Sequence, residues 1–286
     1  MENSRQYSFI NNENGFTISF INGQQLISEL TTIHNIGPKA IEYYQKSVLS
    51  SLQMVNFLKP GESLGFYIDS EDPFYRFKIE IGQAGSYRTL LLPEDFEDFP
   101  THLTGKCRIH KFMPNSQPYT SILEFENHAL EDLVNEVIDK SYQTMSKVFV
   151  NTESNNCLML TKLPPSNVDK KIEDFEDLSL EKIEKKYAPM LEKIQSANIS
   201  GLKSIVSFFE KEDLHYIGSK EVKFNCPCSK ERMIENLFTI NKEDRESLFD
   251  PENSPAGSKK NAIETRCDYC NTVYEILKSD IVKDLH

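Results

Sequence analysis

Two short runs late in the chain decide its reading: Val222-Lys-Phe-Asn-Cys226-Pro-Cys228-Ser-Lys-Glu-Arg232 and Cys267-Asp-Tyr-Cys270-Asn-Thr-Val-Tyr274. Between them they hold four of the six cysteines. A tetrahedral Zn²⁺ with Zn–S of about 2.3 Å needs four converging ligands, and a C-x-x-C turn points two sulfurs at one centre. The C-x-C pair achieves this differently. Residues two apart in an extended chain share a face, and Pro227 biases Cys226 towards that conformation. The spacing therefore predicts a single Cys₄ zinc site from Cys226, Cys228, Cys267 and Cys270. Four thiolates on one divalent ion leave about two excess negative charges, which Lys223, Lys230, Arg232 and Arg266 could partly offset.

The residues alone leave the purpose of such a site open. In a static zinc ribbon the ion staples a small domain, and metal-binding energy is folding energy. In a redox switch the same sulfurs are the reactive species: zinc keeps them deprotonated at neutral pH, and oxidation removes the ligands. A third reading, a zinc-ribbon nucleic-acid module, draws support only from the four basic residues beside the cysteines.

Working outward, the 286 residues make about two domains at roughly 150 residues each. Lys and Arg number 32 against 44 Asp and Glu, a net charge of −12, which repels phosphate backbones and argues against a general nucleic-acid binder. No run approaches the roughly 18 apolar residues of a membrane span, and MENSRQYSFINNENG lacks the regions of a signal peptide. We therefore expect a cytoplasmic protein without nucleic-acid or membrane partners. In that reducing compartment cysteines read as metal ligands or reactive thiols before structural disulfides.

From Phe16 to about Pro164 strand-like and helical runs alternate. Ile41, Tyr44, Val48, Leu49, Leu52, Val55 and Leu58 recur at three- and four-residue steps, predicting a helix over Pro38–Leu58 stopped by Pro60-Gly61. Leu64 to Ile68 and Phe77 to Ile81 alternate around the turn-rich Asp69-Ser70-Glu71-Asp72-Pro73, a hairpin candidate. A helix follows near Leu130–Tyr142, then the apolar runs Val148–Val150 and Cys157–Leu160, and Pro164-Pro165 ends the domain. From Asp169 to Lys193 dense charge surrounds an apolar stripe of helical spacing, Ile172, Phe175, Leu178, Ile183, Tyr187, Met190, Leu191 and, just beyond, Ile194. Pro189 lies inside it and should break or kink it into two short pieces. A further helix is expected over about Ser200–Glu212, and Asp250 to Asn261 reads as an exposed loop.

At these residues the sequence resembles the redox-regulated bacterial holdase chaperones, the heat-shock protein 33 or HslO family. The likeness rests on the combination of C-x-C, Ser-Lys-Glu-Arg and C-x-x-C in the two runs quoted above, and extends more weakly, in the same order, over the whole chain. It implies an α+β protein: an N-terminal mixed α/β domain (1–165), a charged, metastable helical linker (166–224) and a small C-terminal Cys₄ zinc-binding domain (225–286). It also implies an ATP-independent chaperone, not an enzyme, largely inactive when reduced and zinc-bound. Oxidation would form the disulfides Cys226–Cys228 and Cys267–Cys270, release zinc and destabilise the linker. The protein, as a homodimer, would then hold unfolding clients under oxidative and heat stress. A bridge across Cys226-Pro-Cys228 closes a small ring of poor geometry, so it should be readily reduced again. The family's Gly-Asp-Gly-Pro turn is Ser70-Glu71-Asp72-Pro73 here, and the 250–261 loop lengthens the spacing between the cysteine pairs. A homologue with purely structural zinc and constitutive or lost chaperone activity carries the same four cysteines.

An enzymatic reading would have to enlist His102, Cys107 and His110, with no phosphate loop or nucleophile motif beside them. Cys107 and Cys157 read as ordinary buried thiols.

Overall fold

Residues 4–71, 74–94, 102–164, 179–250 and 261–283 are described by the computed structural model. They fall into two units, Met1–Phe224 and Asn225–His286.

In the first unit the strands Arg5–Asn11 (β1) and Phe16–Asn22 (β2) lead into the helices Gln24–Ile33 (α1) and Ile41–Leu52 (α2). The apolar spacing predicts one helix to Leu58, but α2 stops at Leu52 and a 3-10 turn, Gln53–Phe57, completes the run. Gln53 is fully buried there and finds polar partners inside: its Oε1 accepts from Gln6 Nε2 (3.3 Å) and its Nε2 donates to the Cys157 carbonyl (3.4 Å). Ser63–Glu71 (β3) and Phe74–Gly82 (β4) form the predicted hairpin, in register from Ser63↔Gly82 to Glu71↔Phe74. Asp72 and Pro73 of its turn lie outside the described residues. Ser86–Leu92 (β5), Leu103–Phe112 (β6), Tyr119–His128 (β7), the helix Leu130–Tyr142 (α3), Ser146–Asn151 (β8) and Asn156–Lys162 (β9) follow.

The charged amphipathic stretch folds as one helix, Leu180–Ser196 (α4), with Ser179 Oγ accepting from Lys182 N at its start. Residues 169–178 of that expectation lie outside the described residues. Pro189 does not divide α4 into two pieces. A proline costs a helix interior about 3 kcal/mol. Here Ile183, Tyr187, Met190, Leu191 and Ile194 are all buried, and burial of a large apolar side chain contributes about 1.5–3 kcal/mol. The helix Leu202–Glu210 (α5) and the strands His215–Glu221 (β10) and Lys223–Phe224 (β11) complete the unit, so the described part of the 166–224 stretch packs within it.

Two sheets organise these elements, one ordered β10-β1-β2-β9-β8 and the other β11-β5-β4-β3-β6-β7. Strand alternation gives the first sheet two buried faces. Phe16, Ile18 and Phe20 of β2, with Leu158 and Leu160 of β9, face α4 and α5 and pack with Ile183, Met190, Ile205 and Phe209. Ile21, Cys157 and Met159 face the other way, into a larger core shared with α1, α2, α3 and the inner side of the second sheet, including Phe66, Ile79 and Leu91.

The second unit holds the helices Lys230–Leu237 (α6) and Lys242–Ser247 (α7), the hairpin Ala262–Arg266 (β12) and Val273–Leu277 (β13), and Lys278–Lys283 (α8). Its core is small, built on Ile234, Phe249, Ile276 and Ile281. Residues 251–260 of the expected exposed loop lie outside the described residues. Among the described residues no helix is long and apolar enough to cross a membrane.

Candidate metal centre

Two turns in the second unit bring four sulfurs together. Cys226 and Cys228 precede α6, whose first turn is capped by Ser229: its Oγ accepts from Arg232 N (3.3 Å). Arg232 also reaches back, Nη1 donating to the Pro227 carbonyl (2.8 Å), and so ties the C-x-C segment to the helix. The second turn joins β12 to β13. Cys267 N donates to Thr272 O (3.0 Å) and Asn271 N to Cys267 O (2.8 Å), with Asn271 at φ 58°, a left-handed conformation that asparagine tolerates. The turn is thereby closed with Cys267 and Cys270 on one side.

All four Sγ atoms lie within 4.8 Å of one another. Cys226 to Cys267 is 3.7 Å and Cys228 to Cys270 is 3.3 Å. A tetrahedral ion about 2.3 Å from each sulfur sets its ligands about 3.8 Å apart. The all-sulfur donor set and its spacing therefore fit a single thiophilic metal ion. Cys267 is buried and the other three are half-buried. The small apolar core beside them gives the unit little stability of its own, the situation in which a metal contributes folding energy.

The thiols differ in their surroundings. Burial pushes Cys267 up to about 12, against the pull of backbone N–H bonds from Tyr269 and Cys270. Cys270 is also raised by burial, but hydrogen bonds with the Thr272 side chain and backbone, and with Cys228 and Cys267, bring it down to about 7. The Tyr274 hydroxyl lies 3.1 Å from Cys228 Sγ, and that contact is the main cause raising Tyr274 to about 12. Sequence reasoning assigned neither Thr272 nor Tyr274 a role. Their position, two and four residues after Cys270 where the chain leaves the turn and enters β13, is the signal that would have found them.

Of the four basic residues expected to offset thiolate charge, Lys230 pairs with Asp280 (2.7 Å) and Arg232 binds the Pro227 carbonyl. Lys223 lies in β11 of the first unit, and Arg266 ends β12. Of the enzymatic candidates, Cys107 and His110 are not brought together. Cys107 and His110 are an odd number of residues apart on β6, so their side chains take opposite faces: Cys107 lies in the core and His110 Nδ1 is 3.0 Å from Thr120 Oγ1. Cys107 and Cys157 are both buried, and burial pushes the Cys107 thiol well above its usual range and Cys157 up to about 12.

The 33 kDa chaperonin of Aquifex aeolicus is 23% identical over 274 residues, covering 87% of this chain and 79% of that protein. That of Thermosipho melanesiensis is 21% identical over 282 residues, covering 93% of each. The crystal structure of the 33 kDa chaperonin (heat shock protein 33 homolog) from Thermotoga maritima shares the fold, with a TM-score of 0.72 at 15% identity over 99% of this chain and 97% of that one. The family model described as Hsp33 protein matches residues 4–277, nearly the whole chain, and the protein therefore belongs to the Hsp33 family.

Proposed function

We propose that this protein is a redox-regulated, ATP-independent holdase of the cytoplasm. It binds unfolding proteins and prevents their aggregation under oxidative and heat stress. The observation that carries this reading is the four-sulfur cluster, in a chain whose relatives are named 33 kDa chaperonin. Cys226, Cys228, Cys267 and Cys270 would hold one Zn²⁺, which supplies folding energy to the small second unit and keeps the four sulfurs as thiolates. Peroxide oxidises each close pair, Cys226 with Cys228 and Cys267 with Cys270. Two thiolates give up two electrons, one S–S bond forms, and one peroxide takes up these electrons and two protons from solvent to leave as two waters. The oxidised sulfurs no longer retain the ion, and the unit loses its staple.

The first unit supplies a client-binding surface once its cover moves. α4 and α5 lie over Phe9, Phe16, Ile18, Phe20, Leu158 and Leu160, an apolar sheet face of the kind that captures exposed hydrophobic segments of clients. The segment from α4 to β11 leads directly into Cys226, so loss of order in the second unit acts on it through the chain. Dense charge on the exposed side of α4 keeps the opened form soluble, and the oxidised protein acts as a homodimer.

The test follows zinc release and free thiols as peroxide is added to the purified protein at raised temperature, while the same sample is assayed for suppressing aggregation of an unfolding client. Zinc loss, disappearance of the four clustered thiols and suppression should arrive together. Zinc that stays bound while the client aggregates would make the cluster a structural staple and end the switch reading.

A further inference from the structure

Oxidation at a metal centre is governed by what surrounds the sulfurs as much as by the sulfurs themselves. One side chain in the second unit is placed to act this way and has no part in the reading above. Tyr274 lies on β13, opposite Thr265 of β12, and the hairpin register fixes where its ring stands. Its hydroxyl is 3.1 Å from Cys228 Sγ, the second sulfur of the C-x-C pair, although 45 residues separate the two in sequence apart from their own positions. Thr272, two residues earlier and just before β13, places its hydroxyl 3.2 Å from Cys270 Sγ. The β13 side of the site thus presents two hydroxyls to two different sulfurs.

We propose that Tyr274 is a positioning residue of the metal centre: its phenol donates a hydrogen bond to the Cys228 thiolate, strengthens metal retention and slows attack of that sulfur on peroxide. A thiolate has no proton to give, so the phenol is the donor. An O–H bond to a thiolate draws electron density from sulfur, lowering both its charge and its nucleophilicity. In the step affected, Cys228 thiolate attacks peroxide, an S–O bond forms, the O–O bond breaks and hydroxide leaves. A second cysteine thiol then displaces the sulfenic oxygen as water, forming the disulfide. Tyr274 thus sets a threshold for oxidation without touching the oxidant, and it rests on the four-cysteine metal reading.

The experiment compares the full-length protein with Tyr274→Phe, which keeps the ring and the strand and removes only the hydroxyl, and with Tyr274→Leu, which removes both. Each is loaded with Co²⁺ for its thiolate-to-metal charge-transfer spectrum, and with Zn²⁺ for affinity by chelator competition and for the rate of peroxide-driven zinc loss. The expected result is a charge-transfer band at lower energy in Tyr274→Phe, zinc affinity about tenfold weaker, and faster zinc loss to peroxide. A purely structural role predicts that Phe behaves as Tyr and only Leu differs. Identical spectra, affinities and rates for Tyr and Phe overturn the proposal. A wild-type protein that binds neither Co²⁺ nor Zn²⁺ overturns the metal reading beneath it, an outcome distinct from the first.

Discussion

Replacing Asn156 should loosen the C-terminal end of α4, and the size of the effect can be worked from its bonds. Asn156 is fully buried in β9, and its Nδ2 lies 3.0 Å from Ile194 O, 3.1 Å from Gln195 O and 2.8 Å from Ala197 O. These are carbonyls that a helix end leaves without intrahelical partners. One amide NH₂ has two hydrogens, so the three contacts share two donors, and at about 1 kcal/mol per net hydrogen bond the clamp contributes about 2 kcal/mol. Ile194 O still accepts from Ala197 N, and Gln195 O from Ser154 Oγ, so Ala197 O bears most of the loss. Asn156 Oδ1 is itself buried without a partner. Asn156→Ala removes that unsatisfied atom as well, which reduces the net cost to about 1–2 kcal/mol. Asn156→Asp keeps the buried oxygen, replaces the NH₂ with a second one and sets a carboxylate against three carbonyls, an uncompensated charge costing about 3–5 kcal/mol. Urea unfolding followed by circular dichroism should rank wild type above Ala and Ala above Asp. Hydrogen exchange should place the loss of protection in α4. Because α4 covers the apolar sheet face, the reduced Asp variant should also hold an unfolding client at a lower temperature than wild type. Equal stability for the Ala and Asp variants, or unchanged exchange in α4, refutes the reasoning.

Other perturbations have equally definite outcomes. His34 is buried 3.2 Å from Glu94, and burial outweighs that contact and holds its pKa below 6.5. The unfolded chain then binds a proton that the native state does not, so this stability is present in full above about pH 6.5 and declines as the pH falls below it. Thermal melts between about pH 7 and 5 should show that slope, and His34→Gln should flatten it; an unchanged slope in the variant excludes His34 as the source. Gly85 sits at φ 92°, and a Cβ there would overlap Glu221 O, while its own carbonyl accepts from Lys223 N (3.0 Å). Gly85→Ala should therefore unseat β11 from β5 and speed proteolysis between about residues 213 and 224 with zinc content unchanged; wild-type protection would show that the backbone accommodates the methyl. Cys107→Ser and Cys157→Ser should leave the peroxide response intact, because both thiols are buried and held protonated. Loss of activation in either variant would mean that a core thiol takes part.

Spacing in the sequence is enough to pick out the four cysteines that the fold brings together, because a C-x-C and a C-x-x-C are local geometries: two or three residues of backbone decide where each pair of sulfurs points. The β3–β4 hairpin and α3 are legible for the same reason, since alternation and helical periodicity are properties of short windows. What the sequence could not fix are outcomes of contacts between distant residues. Pro189 reads as a helix breaker, and only the burial of α4 against β2 and β9 keeps the helix whole. The 3-10 end of α2 likewise lies where Gln53 meets Gln6 and Cys157 from other strands. The clamp of Asn156 on α4 has no signature in either local stretch, and the spacing of Tyr274 from Cys270 does not say that it reaches Cys228. Local backbone preference determined the sulfurs and most of the elements. The tertiary structure decided which helix covers the apolar sheet face and which hydroxyl meets which sulfur, because those energies exist only once segments far apart in the chain are packed together.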